Sequence, residues 1–217
     1  MIPVLCPSEE ILHRQLFDQQ VERLVGCGYP GALGMSVEEF RSWLVPLIDL
    51  LRKVGGTTPD FIPFLVVVPH GALPIERQME LLVVAKKRGY AGSLDGEKFV
   101  NIDDSVGSSK LPYLIRDVND GTTTVGRTTA AAQTSIRRAG RNGLTVEEGI
   151  ALAIYSPDLL LRHALALIGT NYNGYVPELW LCGCGPTFTF DFPNSMREER
   201  VVPYGGCRMT LDRGIIP

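Results

Sequence analysis

The run Phe64-Leu65-Val66-Val67-Val68 constrains this chain more than any other stretch. It holds no polar residue and ends in three β-branched ones. That is the pattern of a short strand buried on both faces. Pro63 stands at its start, where a strand tolerates proline, and Pro69-His70-Gly71 closes it. A strand predicted over Phe61–Val68 needs a layer on each side, and the flanking sequence supplies helices. Pro74 opens a pattern carrying Ile75, Met79, Leu82 and Val83. It predicts a helix ending at Lys86-Lys87-Arg88-Gly89, where basic residues complement the helix dipole. Strand, loop and helix in that order predict the first half of a βαβ unit.

Upstream, Ile11, Leu12, Leu16, Phe17, Val21, Leu24 and Val25 recur at helical spacing, with Gly26 and Gly28 as the stop. Ser36-Val37-Glu38-Glu39 is a capping box, followed by the stripe Phe40, Leu44, Leu47, Ile48 and Leu51. Pro46 should kink or split that helix, and Gly55-Gly56 should end it. Downstream, strands are expected at Glu97–Ile102, Pro112–Val118, His163–Ile168, Leu179–Leu181 and Thr187–Phe190. Helices are expected from Thr128 to Arg138 and after a second capping box, Thr145-Val146-Glu147-Glu148. Asn119-Asp120-Gly121 reads as a tight turn. The fold class is therefore α/β or α+β: a mixed β-sheet flanked by helices, with an N-terminal helical pair. Residues 1–217 are read as a single domain, with 8–55 as the helical layer and 60–217 as the mixed body.

The chain has 217 residues, 45% of them hydrophobic, and a formal net charge of −3. This excludes disorder as the main state and disfavours nucleic acid as a partner, since nucleic-acid binders carry a clustered basic excess. The start, MIPVLCPSEE, lacks a basic segment followed by a long apolar one, so a secretory signal is not expected. No apolar run approaches the ~20 residues of a membrane span, and no membrane partner is expected. Five cysteines, an odd number spread thinly, fit reduced thiols and a cytoplasmic location.

Several segments carry a resemblance. They are Pro112-Tyr113-Leu114-Ile115-Arg116-Asp117-Val118-Asn119-Asp120-Gly121, Ile136-Arg137-Arg138-Ala139-Gly140-Arg141, Gly143 to Leu152, Pro177-Glu178-Leu179-Trp180-Leu181 and Gly206-Cys207-Arg208. Together they resemble a family of uncharacterised bacterial proteins, common in actinomycetes, known only as a domain of unknown function. The similarity runs from about residue 60 onward and implies a bacterial cytosolic protein. It transfers no catalytic or binding residue. Relatives are rich in Trp, Cys and His just before the final Cys. Here that segment is Phe190-Asp191-Phe192-Pro193-Asn194-Ser195-Met196-Arg197, which has none.

Four groups could carry chemistry. Cys182-Gly183-Cys184-Gly185-Pro186 with Cys207 offers three thiols, and His70 would complete four metal ligands or act as a base. The C-x-C spacing is not the usual zinc spacing, and the competing reading is small buried hydrophobes. Arg208 adjoins Cys207, and His163 is a second base. His70 by itself stands at the carboxyl end of the buried strand, where α/β sheets place ligands. The acidic residues Asp103, Asp104, Asp117 and Asp120 are the third group. A calcium loop there fails, because the glycine comes one position early and Thr128 stands where the twelfth-position Glu belongs. The fourth is the basic set Arg116, Arg127, Arg137, Arg138 and Arg141, suited to an anionic cofactor or ligand, or to a solvated helix end. Phosphate-loop, dinucleotide, H-E-x-x-H and G-x-S-x-G motifs are absent from the sequence. The leading expectation is a small-molecule-binding protein or enzyme with a thiol- or metal-dependent pocket. The rivals are a protein–protein interaction module, with the N-terminal helices pairing two copies, and an anion or nucleic-acid contact through the arginines. The sequence names no cofactor and no metal.

Overall fold

The computed structural model describes residues 7–52, 58–92, 94–102, 110–192, 194, 199–211 and 214–216. Helix α1 (Pro7–Cys27) has Glu9 and Glu10 in its first turn, on the favourable side of the dipole. It ends at Gly28, whose φ of 92° suits glycine. His13, Phe17, Gln20, Val21 and Leu24 form its buried stripe. A single turn, α2 (Tyr29–Ala32), leads to α3 (Val37–Leu44), where the capping box forms as expected. Ser36 Oγ accepts from Glu39 N at 3.1 Å, and Glu39 Oε2 accepts from Ser36 N at 2.7 Å. Pro46 splits the helix: the chain tightens into a 3-10 turn over Val45–Leu47 and resumes as α4 (Ile48–Leu51).

Strand β1 (Ile62–Val67) holds the first four residues of the apolar run, Phe64 to Val67, all buried. Helix α5 (Ile75–Leu81) then stops earlier than its apolar pattern predicts. Instead of a basic last turn, the chain forms a tight hairpin, β2 (Val83–Val84) and β3 (Lys87–Arg88). Its central residues, Ala85 and Lys86, both have positive φ, at 51° and 65°. Two features favour this. Val83-Val84 is β-branched, and Gly89 N bonds Leu82 O at 2.7 Å, folding the chain back on the helix end.

Next come β4 (Phe99–Asn101), β5 (Tyr113–Val118), α6 (Thr129–Arg138), β6 (Asn142–Gly143) and α7 (Val146–Tyr155). The Asn119-Asp120-Gly121 turn after β5 is closed by Gly121 N on Asn119 Oδ1 at 2.9 Å. Gly121 has φ of 87°, and a Cβ there would fall 2.6 Å from the Val202 carbonyl carbon, so both backbone and space require glycine. The rest is β7 (Ala164–Ala166), β8 (Thr170–Tyr172), β9 (Val176–Cys182), β10 (Gly185–Asp191), β11 (Arg200–Val201), β12 (Tyr204–Gly205), β13 (Arg208–Thr210) and β14 (Gly214–Ile216).

One sheet has the order β1-β5-β13-β14 and is antiparallel throughout, with Leu65 opposite Ile115 and Ile115 opposite Arg208. The second, β10-β9-β7-β11, is antiparallel except for the parallel pair β11–β7. Among the described residues the expected βαβ unit does not form: β1 finds its partner in the antiparallel β5, and α5 leads to the β2–β3 hairpin. The class is α+β, with N-terminal helices.

β1 lies at a sheet edge, and α1 covers it chemically. Gln20 Nε2 donates to Phe64 O at 2.9 Å, and Gln20 Oε1 accepts from Val66 N at 2.8 Å. One side-chain amide thus stands in for a neighbouring strand. α7 packs on β1 and against α1 and α5, and every residue from Val146 to Ile154 is buried. Phe17, Phe40, Phe64, Ile150, Leu179 and Met209 belong to one continuous core that joins the N-terminal helices to both sheets. Each such fully buried side chain contributes roughly 1.5–3 kcal/mol of burial free energy.

Candidate functional site

A helix buried on every side has one difficulty, its polar first turn. α7 begins with two adjacent glutamates, Glu147 and Glu148, and both are buried. Glu148 is part of a capping box: Thr145 Oγ1 accepts from Glu148 N, and Glu148 Oε2 accepts from Thr145 N at 2.8 Å. Arg208, from β13, donates Nε to Glu148 Oε1 at 2.5 Å and Nη2 to Oε2 at 2.9 Å. Tyr113 OH, from β5, donates to Oε1 at 3.2 Å. Burial, followed by the Glu148 and Glu147 charges, pushes the Tyr113 phenol well above its ordinary range.

Glu147 faces differently. Its Oε1 meets His70 Nδ1 at 3.3 Å and accepts from Asn101 Nδ2 at 3.1 Å. Thr170 Oγ1 donates to Asn101 Oδ1 at 2.7 Å and accepts from Val146 N at 3.0 Å. The helix start, β4 and β8 are thereby tied together. Glu147 Oε2 is buried and has no hydrogen-bond partner among the described residues. Burial pushes the Glu147 carboxyl up, but the His70 contact outweighs it with help from Asn101, and the carboxyl sits below its usual range. The hydrogen bond to Glu147 raises the His70 imidazole above its ordinary value, against the opposing pull of burial. Both directions favour an imidazolium–carboxylate pair.

His70 also borders a cleft of about 570 Å³. The cleft has an apolar part, Pro74, Ile75, Leu94 and Phe99, and an acidic part, Glu76, Asp95 and Glu97. Glu76 Oε1 accepts from Gly96 N at 2.8 Å, which fixes the loop that carries the other two carboxylates. Lys98 approaches Asp95 at 3.4 Å from outside the lining. The His70 side chain is 27% exposed, whereas that of Glu147 is 1% exposed. A buried carboxylate thus orients a half-exposed imidazole at a cleft wall. With Nδ1 engaged, Nε2 is left without a protein partner among the described residues.

The cysteines stand elsewhere. Cys182 and Cys184 flank Gly183 in the β9–β10 turn. Cys184 N donates to Cys182 Sγ at 3.2 Å, which leads the influences drawing that thiol down. Lys87 Nζ donates to Gly183 O at 2.6 Å. Cys207 precedes β13, and its carbonyl accepts from Arg116 N at 3.2 Å. None of the three lines the His70 cleft. Among the described residues no three His, Cys, Asp or Glu side chains are grouped to hold a metal ion. Arg116 lies on β5, and Arg137 and Arg138 are exposed in the last turn of α6, so these three do not share an element. Arg127 and Arg141 do share a smaller cleft. His13 is buried edge-on against Phe64, their centroids 5.7 Å apart. Asp103, Asp104 and Cys6 lie outside the described residues, as do Gly55, Gly56 and the 195–197 segment.

Sequence reasoning singles out His70 and does not single out Glu147, Asn101 or Thr170 as its neighbours. It treated Glu147 only as part of a capping box. A usable signal was present: Ile150-Ala151-Leu152-Ala153-Ile154 is apolar at every position, so its helix has no solvent face. Both glutamates of its first turn must then be buried and must find partners. Asn101 and Thr170 carried no such signal, because their partners come from distant segments.

Among the described residues no helix is long and apolar enough to cross a membrane. A family model matches residues 23–189, described as a family of unknown function (DUF5701), and the chain belongs to that family. No curated protein and no solved structure matches the chain.

Proposed function

We propose that this family member binds a small organic cation in the His70 cleft and that His70 exchanges a proton with it. One observation carries the reading: buried Glu147 holds Nδ1 of an imidazole that borders a cleft of about 570 Å³. A carboxylate on Nδ1 fixes the tautomer and directs proton exchange to Nε2. The hydrogen bond to Glu147 raises the His70 pKa and so favours a proton on Nε2. The ligand class follows from the walls. Glu76, Asp95 and Glu97 suit a positive charge, and Ile75, Leu94 and Phe99 suit an apolar body. An aryl- or alkylamine has both. The volume lies in the roughly 300–1,000 Å³ range of small-molecule sites.

The test is an NMR titration of the His70 imidazole with phenethylamine and agmatine, using phenylacetate as the charge-reversed control. The amines should shift the His70 signal saturably. A bound cation disfavours the imidazolium, so amine affinity should rise with pH through the His70 pKa. Amines that leave His70 unmoved, or phenylacetate binding in preference to them, would overturn the reading.

A further inference from the structure

A second concavity, of about 200 Å³, lies between the turn after Gly121, helix α6 and strand β12. Its character is opposite to that of the His70 cleft. Arg127, Arg141, Thr123, Ser135 and Tyr204 border it, and no carboxylate does among the described residues. Arg141 is held rigidly. Its Nη1 donates to Asp117 O at 2.9 Å, and its Nη2 donates to Thr58 Oγ1 at 3.1 Å and to the Asp117 carboxylate. Its guanidinium lies 4.8 Å from the Phe61 ring centroid and 5.9 Å from that of Tyr204. Of the five guanidinium N–H donors, Nε and one on Nη1 carry no bond among the described residues. Arg127 is exposed, and among the described residues its side chain reaches only Ser135 Oγ, at 3.5 Å. Among the described residues it meets no carboxylate.

Asp117 balances Arg141, and among the described residues no carboxylate balances Arg127 at the edge of the concavity. The nearby Asp120 carboxylate is turned to Thr122, whose N and Oγ1 it accepts at 2.9 and 2.7 Å. We propose that this concavity binds the phosphate group of a small phosphomonoester, with Arg127 as its principal charge and the two unused N–H groups of Arg141 as further donors; the Thr123 and Ser135 hydroxyls donate to Asn119 Oδ1 at 3.5 Å and to Ala131 O at 3.3 Å, and serve as polar wall. A tetrahedral group with three or four acceptor oxygens can accept from both guanidinium groups at once, which a planar carboxylate does less readily. The small volume and the chain's net charge of −3 favour a free small molecule over a nucleic-acid backbone. The site is independent of the His70 reading, because it shares no residue with that cleft.

The experiment is an NMR titration of the Arg127 and Arg141 side-chain Nε–H signals with inorganic phosphate and with phenyl phosphate. Sodium chloride at matched ionic strength is the control, and a short DNA duplex is a separate arm. Both phosphates should shift the two signals saturably. Arg127→Gln should weaken binding about tenfold, the loss of one charge-assisted contact, and Arg127→Lys should retain part of it. Ser135→Ala should cost less than Arg127→Gln. An unchanged backbone amide spectrum in each variant shows that the fold is intact. Shifts that chloride reproduces, that never saturate, or that survive in Arg127→Gln overturn the proposal. Binding of the duplex without binding of phenyl phosphate overturns it as well.

Discussion

Two adjacent glutamates on one helical turn have opposite surroundings. Glu148 is sealed: its side chain is 0% exposed, and that of its partner Arg208 is 2% exposed. It is held by charge, by the Tyr113 hydroxyl and by its own cap. Glu147 is equally buried, but its partner His70 is 27% exposed and borders open space. The first arrangement fixes β13 to α7. The second connects the interior to a cleft and can carry a proton. Buried charge is therefore not itself a sign of function, and access of the partner to solvent separates the two cases. The pair of Arg200 and Glu178, both with fully buried side chains and an Nε–Oε1 distance of 2.6 Å, falls on the structural side.

The contrast makes four predictions. Arg208→Ala leaves a buried carboxylate without its cation and should destabilise the protein by about 3–5 kcal/mol, read by chemical denaturation. A loss below about 1 kcal/mol would mean that the pair is not sealed. Glu147→Gln should cost less, about 1–3 kcal/mol. It should also lower the His70 pKa, because the remaining influence, burial, acts downward. An NMR titration of His70 reads this directly, and an unmoved midpoint would break the dyad.

Thr145→Ala removes the cap that precedes both glutamates and should cost about 1 kcal/mol. It should leave the His70 titration in place, which sharpens the separation between the two carboxylates. The smallest effect belongs to pH. The raised His70 pKa contributes stability that is complete below the ordinary value of 6.5 and is lost as pH climbs through the raised value. The depressed Glu147 pKa contributes stability present above 4.5 and lost as pH falls through the depressed value. The advantage of wild type over His70→Gln should therefore be largest between pH 4.5 and 6.5 and shrink on both sides, by less than about 1 kcal/mol. Denaturation midpoints of the two proteins across pH test this.

Local signals in the sequence translated into structure where the interactions are local. Ser36–Glu39 and Thr145–Glu148 form their capping boxes because donor and acceptor lie three residues apart. Pro46 splits its helix and Gly121 closes its turn, since both act through their own backbone. The end of α5 was misread. The apolar spacing of Leu82 and Val83 continued the helical pattern, while the hairpin around Ala85 and Lys86 depends on Gly89 docking back against the helix. The βαβ expectation failed for a related reason: strand order says nothing about which distant strand will pair with β1.

The sequence alone determined that a buried strand ends just before Pro69-His70-Gly71, that Ser36 and Thr145 cap helices, and that the class contains both helix and sheet. These follow from spacing, caps and side-chain shape, which act over a few residues. Only the tertiary structure decided that β5 lies antiparallel beside β1, that Gln20 closes the free edge of β1, and that Glu147, Asn101 and His70 meet. Those contacts join segments tens of residues apart, and each becomes favourable only when chain closure and the burial of its neighbours are achieved together.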